Sequence, residues 1–365
     1  MGLLLKKPTR WGFAIAATTA LVAMLLLAVQ ASAKPHPFYG VVSQTHLSPK
    51  EVKKMGSARI GTLRTVVDWA SINPTRGSDY QWSGIDGLVG EAAANRMRVL
   101  PFLFGTPDWV ARGPDNRNCN PCSTFAPRRK AALQAWRDFV AAAVSRYGRN
   151  GDFWDENPGL PYTPITAWQI WNEQNSKTFY SPRPTLKGYA KLLGAAARAI
   201  RANDRRADVV LGGMAELAGS RKAVAGTKYL RELYRRKGVA RDFDGIAVHP
   251  YGAKPQTVAA QVGRFRDEVT DAGDKRVGLW ITETGWGSST GSNPLEVGKR
   301  GQAQRLKETY KYFNRNRARL HIKTVIWFSW RDSATSICAW CASSGLLTQS
   351  GKPKPAFRAL KRLAR

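Results

Sequence analysis

From Phe38 to the C-terminus, short apolar runs alternate with longer stretches whose apolar residues recur at helical spacing. This alternation is typical of βα repeats that build a parallel sheet. Eight apolar runs can be counted, and eight strands close a (β/α)₈ TIM barrel of the α/β class. The predicted strands cover residues 39–43, 59–67, 98–104, 165–171, 209–213, 245–249, 277–282 and 324–329.

The stretches between the runs carry readable helix signals. Ser48, Pro49 and Glu51 combine an N-cap, a proline in the first turn and a capping-box acid, and they predict a helix start. Apolar residues at helical spacing over 133–147 and 186–200 predict outer helices that pack against the barrel. No fixed-period repeat or long low-complexity linker follows residue 38, so we predict one domain over residues 38–365.

The first 33 residues are a separate segment. Three cations between residues 6 and 10 precede an uncharged stretch over 11–29, and the small residues 31–33 follow. This order is the pattern of a cleaved secretory signal peptide. The apolar stretch is also long enough to span a bilayer as an uncleaved anchor, and only then would a membrane be a partner. Both alternatives predict a secreted or cell-surface protein.

The four cysteines form two close pairs, Cys119-Asn-Pro-Cys122 and Cys338-Ala-Trp-Cys341, in segments rich in Gly, Pro and Ser. In an exported chain, such pairs predict two local disulfides that fix loops. A Cys₄ zinc site uses the same spacing and stays an alternative. Neither pair has the strand and helix context of a thioredoxin-like redox motif.

The chain is strongly basic, with 57 Lys and Arg against 26 Asp and Glu and a formal net charge of +31. Such a charge attracts anionic surfaces, and an anionic cell-envelope polymer is a candidate partner. Because the cations are spread along the chain, a solvated arginine-rich surface is the favoured explanation of the charge. No nucleic-acid-binding motif accompanies it, so we expect no specific nucleic-acid partner.

Two glutamates end apolar runs beside tryptophans: Glu173 in Trp-Asn-Glu-Gln-Asn and Glu283 in Trp-Ile-Thr-Glu-Thr-Gly-Trp. A carboxylate at the end of a buried strand is costly unless it is paired or functional. In a parallel barrel all strands end at one rim, so the two acids should converge there. Side-chain alternation further predicts that four residues share the inward faces of the two acids: Gln169, Trp171, Leu279 and Ile281.

Asn172-Glu173 after strand four, His249-Pro-Tyr251 after strand six and Thr282-Glu283 after strand seven resemble clan A of the glycoside hydrolases. The clan comprises retaining (β/α)₈ enzymes, and families 39 and 5 are the most similar. The resemblance covers roughly residues 38–365. It implies a glycosidase acting on a β-linked glycan or glycoside, with Glu173 as general acid/base and Glu283 as nucleophile. Neither a metal nor a cofactor is implied.

The resemblance also assigns supporting roles. Asn172 matches the residue that binds the 2-hydroxyl of the sugar. Arg64, near the end of strand two, matches the arginine that keeps the nucleophile ionised, since a nearby cation lowers a carboxyl pKa. His249 and Tyr251 match the strand-six pair, with Tyr251 donating to Glu283.

Tryptophans at strand ends are the candidate sugar platforms. We predict that Trp327 is the strand-eight indole beneath the reacting sugar. Trp330 is the alternative, because a bulge would exchange the facings of the two residues. Trp109 and Trp286 could add further stacking surfaces, although each could equally be a packing residue.

Two other functions match parts of the sequence. A non-catalytic carbohydrate-binding or cell-wall-binding protein on the same barrel is the alternative, but the presence of both acids favours an enzyme. The string over residues 287–291 formally matches the nucleophile elbow of serine hydrolases. The residues after it delay any helix, and a later histidine without an intervening aspartate does not complete a triad.

Overall fold

The computed structural model describes Gly2 and residues 35–112, 117–216, 222–336 and 338–365. Eight parallel strands close into a barrel in sequence order, and β8 pairs with β1. The predicted (β/α)₈ barrel is therefore confirmed. The strands are β1 (His36–Val42), β2 (Ile60–Asp68), β3 (Arg98–Phe104), β4 (Ala167–Asn172), β5 (Asp208–Ala215), β6 (Gly245–His249), β7 (Gly278–Thr284) and β8 (Ile322–Phe328).

Helices surround the barrel and fill the connections between strands. In the described residues they are α1 (Pro49–Ser57), α2 (Trp69–Ile72), α3 (Ser83–Ala94), α4 (Asp108–Ala111), α5 (Lys130–Tyr147), α6 (Asp152–Glu156), α7 (Leu186–Asn203), α8 (Gly226–Tyr234), α9 (Pro255–Asp271), α10 (Gly298–Arg315) and α11 (Pro355–Leu363). Three 3₁₀ helices cover Cys122–Thr124, Val239–Asp242 and Trp340–Ser343.

The start of α1 follows the capping signal in the sequence. Both the backbone N–H and the hydroxyl of Ser48 donate to one carboxylate oxygen of Glu51, at 3.1 and 2.9 Å. The acid thereby holds the residue before the first turn and fixes where the helix begins. The second Glu51 oxygen forms an ion pair with Arg331 and accepts from the Trp330 indole N–H, both at 3.2 Å, which ties α1 to the segment after β8.

The predicted N-terminal signal peptide or anchor, residues 1–33, lies outside the described residues apart from Gly2. Within the described ranges, no helix combines the length and apolar character needed to cross a membrane.

Both cysteine pairs form local disulfides, Cys119 with Cys122 and Cys338 with Cys341. A sulfur bonded to another sulfur is not a thiolate, so these pairs leave no ligands for the alternative zinc site. Each bond closes a short loop on the side of the barrel where the strands end.

The barrel interior and the layer between barrel and helices are separate apolar clusters. Leu100, Val210 and Ala247 come from β3, β5 and β6 and contact one another without any helix residue, so they lie inside the barrel, where Trp280 of β7 joins them. Leu279 and Ile281 instead pack in the large cluster that contains the helices. The prediction that these two residues point inward with Glu283 is therefore wrong.

The expected alternation also fails on β4. Trp171 has a left-handed backbone, with φ of +73°, a conformation rare for a bulky residue. Its ring packs against Trp136 of α5, 6.1 Å between centroids, and its indole N–H donates to the backbone oxygen of Phe179 at 2.8 Å. Trp171 thus faces outward instead of sharing the inward face of Gln169. The next residue, Asn172, turns into the barrel as a result.

Candidate active site

The two glutamates meet at the carboxyl-terminal rim of the barrel. One carboxylate oxygen of Glu173, one of Glu283 and one ring nitrogen of His249 all lie within 4.8 Å of one another. The Glu173 and Glu283 side chains are 14% and 12% exposed. Strand order brings the acids together as predicted, in a mouth that shields them while leaving both open to a ligand.

Each oxygen of Glu283 has its own donor. Arg64 Nη1 lies 2.7 Å from Oε1, and the Tyr251 hydroxyl donates to Oε2 at 2.8 Å. Burial alone would raise the pKa of Glu283. The positive charges of His249 and Arg64, together with the hydrogen bonds from Tyr251 and Arg64, outweigh burial and hold that pKa below its usual range. Glu283 is therefore kept ionised.

The same environment acts in the opposite direction on Tyr251. Burial, and then the negative charge of Glu283, raise the pKa of the Tyr251 hydroxyl well above its ordinary value. The phenol therefore stays protonated and remains a donor to the carboxylate.

Arg64 joins three strands through one guanidinium group. It is 1% exposed, and besides Glu283 it donates to Asn172 Oδ1 at 2.8 Å and to Gln169 Oε1 at 3.1 Å. Its guanidinium carbon lies 4.2 Å from the ring centroid of Phe102. Arg64 donates to the side-chain oxygen of Asn172, so the side-chain amide nitrogen of Asn172 is left to donate to a ligand. Gln169 was not predicted as a site residue, although a polar side chain within an apolar strand was a usable signal.

His249 connects the acid on β4 to β7. Its Nδ1 lies 2.9 Å from Glu173 Oε1 and 3.6 Å from Glu283 Oε2, and its Nε2 lies 3.0 Å from the Thr282 hydroxyl. Because Nε2 faces the Thr282 hydroxyl, the Nδ1–H is placed to donate to Glu173. The family resemblance matched His249 and Tyr251 to one strand-six pair and named no contact of His249 with Glu173, so this contact was not predicted.

The backbone around Glu173 is held in an unusual shape. Glu173 has φ of +42°, and its N–H donates to the Gly213 carbonyl of β5 at 2.8 Å. A Cβ added to Gly213 would collide with the His249 ring, so glycine is required there for the imidazole to fit. Left-handed residues other than glycine cluster at functional sites, because surrounding contacts must hold them in place.

The structure corrects the predicted strand-eight sugar platform. Trp327 is fully buried, with its ring 6.1 Å from that of Trp286 and 6.3 Å from that of Tyr310, and its indole N–H donates to the Ser344 carbonyl at 3.0 Å. Trp286 is likewise fully buried. Both indoles lie in the layer between barrel and helices, so neither offers a face to a sugar.

The alternative platform is wrong for the same reason. Trp330 is fully buried against Phe357 of α11, and its indole N–H donates to the Glu51 carboxylate. Trp109 is partly exposed, and its indole N–H donates to the Asn73 carbonyl at 3.0 Å. A stacking role for Trp109 stays a prediction.

A different indole lies beside the acids. Trp340 is 8% exposed, and its ring centroid is 5.0 Å from that of Tyr251 and 5.8 Å from that of Phe328, the last residue of β8. Trp340 lies between Cys338 and Cys341, so the second disulfide fixes the loop that carries it. Its position in the Cys-Ala-Trp-Cys string was the signal that sequence reasoning passed over.

Glu173, His249 and Glu283 also have the donor types and spacing that a metal ion could use. The donor set fits a metal poorly, because the Arg64 cation already neutralises Glu283 and would repel a second cation. His249 also contacts both carboxylates directly, at 2.9 and 3.6 Å. We therefore interpret the cluster as a site of proton transfer and nucleophilic attack.

Comparison with known families identifies one match. The family model described as the glycosyl hydrolase catalytic core matches residues 172–359, which include both glutamates, His249 and Tyr251. No match was found among curated protein sequences.

Solved structures share the fold. A family 39 glycoside hydrolase from Bacteroides cellulosilyticus WH2 has a TM-score of 0.68 and 19% identity, over 91% of this chain and 64% of its own. A monomeric β-xylosidase from Caulobacter crescentus CB15 has a TM-score of 0.62 and 18% identity, over 91% and 69%. The intracellular xylanase TsXylA from Thermoanaerobacterium saccharolyticum has a TM-score of 0.57 and 16% identity, over 88% and 95%. At these identities the likeness shows the fold alone. This chain spans less than two thirds of the Bacteroides protein.

Proposed function

Because this chain belongs to the glycosyl hydrolase catalytic core family, we propose that it hydrolyses a β-linked glycan or glycoside with retention of anomeric configuration. The approach of the Glu173 and Glu283 carboxylate oxygens to within 4.8 Å carries the proposal. Retaining enzymes hold their two carboxyl groups about 5–5.5 Å apart, whereas inverting enzymes need about 6.5–9.5 Å to admit a water. The spacing here suits direct attack by a carboxylate.

In the first step, a Glu283 oxygen attacks the anomeric carbon while the bond from that carbon to the leaving oxygen breaks. Glu173 gives its proton to the leaving oxygen, so the aglycone departs as a neutral alcohol and a glycosyl ester remains on Glu283. Arg64 and Tyr251 hold the two oxygens of Glu283 and favour its ionised form before attack.

In the second step, water attacks the anomeric carbon and Glu173 accepts its proton, while Glu283 leaves as a carboxylate. Esterification has by then removed the negative charge of Glu283, which weakens proton binding by Glu173 and lets it act as a base. His249 orients the acid/base through its Nδ1, and the Asn172 amide is placed to bind a hydroxyl of the sugar.

The names of the structural neighbours suggest which substrates to test first. One is called a β-xylosidase and another a xylanase, so β-xylosides head the screen for this chain. Phe328, Tyr251 and Trp340 form one aromatic wall of the mouth, which suits the apolar faces of sugar rings. The non-catalytic alternative is not favoured, because a binding protein needs no acid pair at this spacing.

We expect the first-formed product from an aryl β-glycoside to be the β anomer. The measurement is proton NMR during the first minutes of hydrolysis, before mutarotation mixes the anomers. A panel of aryl β-glycosides, with β-xylosides first, identifies a substrate. Early release of the α anomer would show inversion and contradict the covalent mechanism.

Removing Arg64 should move the acid limb of the pH profile of kcat/KM upward. Glu283 must be ionised to attack, and its lowered pKa places that limb below the ordinary glutamate value of about 4.3. In Arg64→Gln the pKa of Glu283 rises, so activity is lost at a higher pH as pH falls. Tyr251→Phe should give a smaller shift in the same direction, because it removes a hydrogen bond but no charge. An unmoved limb in both variants would contradict this role.

Export is part of the proposal. The signal-like segment over residues 1–33 and the two local disulfides support a location outside the cytoplasm, since disulfides persist in oxidising compartments.

A further inference from the structure

A long groove runs along the outside of the barrel, away from the acid pair. It has a volume of about 1040 Å³ and lies between α5 and α7, with residues from α8 and the Val239–Asp242 helix closing one end. Its other end reaches the rim, where Arg128 donates to the backbone oxygens of Ser181 and Arg183 in the loop after Glu173.

The walls of the groove are more basic than the protein as a whole. They carry nine Lys or Arg side chains against two carboxylates, whereas the chain has 57 against 26. Arg235 pairs with Glu232 at 2.8 Å, and Arg128 is used by the two backbone oxygens. Within the described ranges the other seven cations make no salt bridge, so they can meet an external anion.

Helical spacing arranges the cations in two facing rows. Lys187, Lys191 and Arg198 follow one side of α7, while Lys130 and Arg137 follow the facing side of α5. With a rise of about 1.5 Å per residue, the row on α7 spans roughly 16 Å. Repeated charges along a line match a ligand with repeated charges along a chain.

The floor between the rows is apolar. It is formed by small and aliphatic side chains, and no aromatic residue lines the groove among the residues that the structure describes: the floor residues are Leu133, Leu186, Ala190, Gly194 and Ala195. Single-stranded nucleic acids are usually held by aromatic stacking, which this surface lacks. A flat lipid surface would not reach a recessed floor. Sugar rings have apolar faces that suit such a floor, and acidic substituents would meet the cations above it.

We propose that this groove is a second binding site, which takes an extended acidic polysaccharide bearing carboxylate groups. The site is separate from the acid pair and would hold the enzyme on an anionic glycan while the mouth remains open. Its occupancy does not require hydrolysis, so binding by the groove and the proposed glycosidase activity can fail independently.

The chain offers a matched pair of variants for the test. Lys187→Gln/Lys191→Gln neutralises two exposed lysines four residues apart on α7. Lys307→Gln/Lys311→Gln neutralises two exposed lysines with the same spacing on α10, in a smaller basic groove of about 730 Å³. Both variants change the net charge equally. Attraction by net charge alone would therefore weaken equally in both, whereas a defined site on α7 would respond to the first only.

Binding of fluorescently labelled oligogalacturonate to the full chain is measured by anisotropy at low and moderate salt. We expect the Kd to rise roughly tenfold in the α7 variant and less than about twofold in the α10 variant. Ala190→Phe leaves every charge in place but fills the floor, and it should weaken binding comparably. Thermal unfolding of each variant checks the fold, and Glu283→Gln should bind like the wild type.

Equal losses in the α7 and α10 pairs, or unchanged binding in Ala190→Phe, would overturn the groove as a site. Duplex DNA and vesicles containing phosphatidylglycerol serve as competing probes. Stronger α7-dependent binding of either probe than of oligogalacturonate would reject the polysaccharide as ligand.

Discussion

Glu283→Gln should lower kcat on an aryl β-glycoside by roughly 10⁴-fold or more, the scale seen when a nucleophile is removed from an enzyme. An amide cannot form the glycosyl ester, although it keeps the size of the carboxylate and can still contact Arg64 and Tyr251. Because the loss affects the first chemical step, the burst of aglycone in pre-steady-state measurements should disappear. Binding of substrate should change far less than kcat.

The matched control is Glu51→Gln. Glu51 is 13% exposed, close to the 12% of Glu283, and also pairs with an arginine, yet it holds the start of α1 instead of lining the mouth. We expect near wild-type kcat in this variant. Azide added to a smaller replacement, Glu283→Gly, should yield the α-glycosyl azide by direct displacement. Substantial turnover by Glu283→Gln without azide would contradict the assignment of Glu283 as the nucleophile.

Glu173→Ala should lower kcat by roughly 10²–10⁴-fold, with the larger loss on substrates whose leaving groups need a proton. An activated aryl glycoside loses its leaving group without help, so the glycosyl ester on Glu283 accumulates and its hydrolysis becomes limiting. Azide needs no general base, and it should attack the ester and restore turnover. The product should be the β-glycosyl azide, of opposite configuration to that from the Glu283 variant.

The opposite configurations of the two azides make the assignment of roles testable in one pair of experiments. If the Glu173 variant gave the α azide and the Glu283 variant the β azide, the two roles would be exchanged. His249→Ala provides a graded comparison, since it removes the partner of Glu173 at 2.9 Å but leaves both carboxyl groups in place. A loss in His249→Ala equal to that in Glu173→Ala would mean that Glu173 cannot act as acid/base without its imidazole partner.

The barrel could be predicted because its signals are local and repeated. Strands β3 and β6 have the predicted limits, and the others shift by a few residues at their ends. The meeting of Glu173 and Glu283 followed from topology alone, since every strand of a parallel barrel ends at the same rim. Neither inference required the position of a single side chain.

Side-chain facings could not be predicted in the same way. Alternation assumes regular strands, but the left-handed residue at Trp171 reverses the facing on β4, and the β7–β8 register shifts between Ile281 and Thr284. The tryptophans misled for a related reason: a large ring near a strand end fills the layer under the helices as readily as it lines a mouth. Trp340 lies at the mouth because of the path of the segment after β8. The spacing of apolar residues does not predict such a path.

The ion-pair network also bears on how the molecule becomes competent during folding. Arg64 lies on β2 and Glu173 directly follows β4, whereas His249 lies on β6 and Glu283 on β7. Neither half of the polypeptide therefore contains the complete reactive centre. A nascent chain that has emerged only as far as β4 contains Arg64 but lacks Glu283, the carboxylate with which it forms its ion pair. Chemistry must therefore wait until β6 and β7 have docked, and the onset of turnover reports that step.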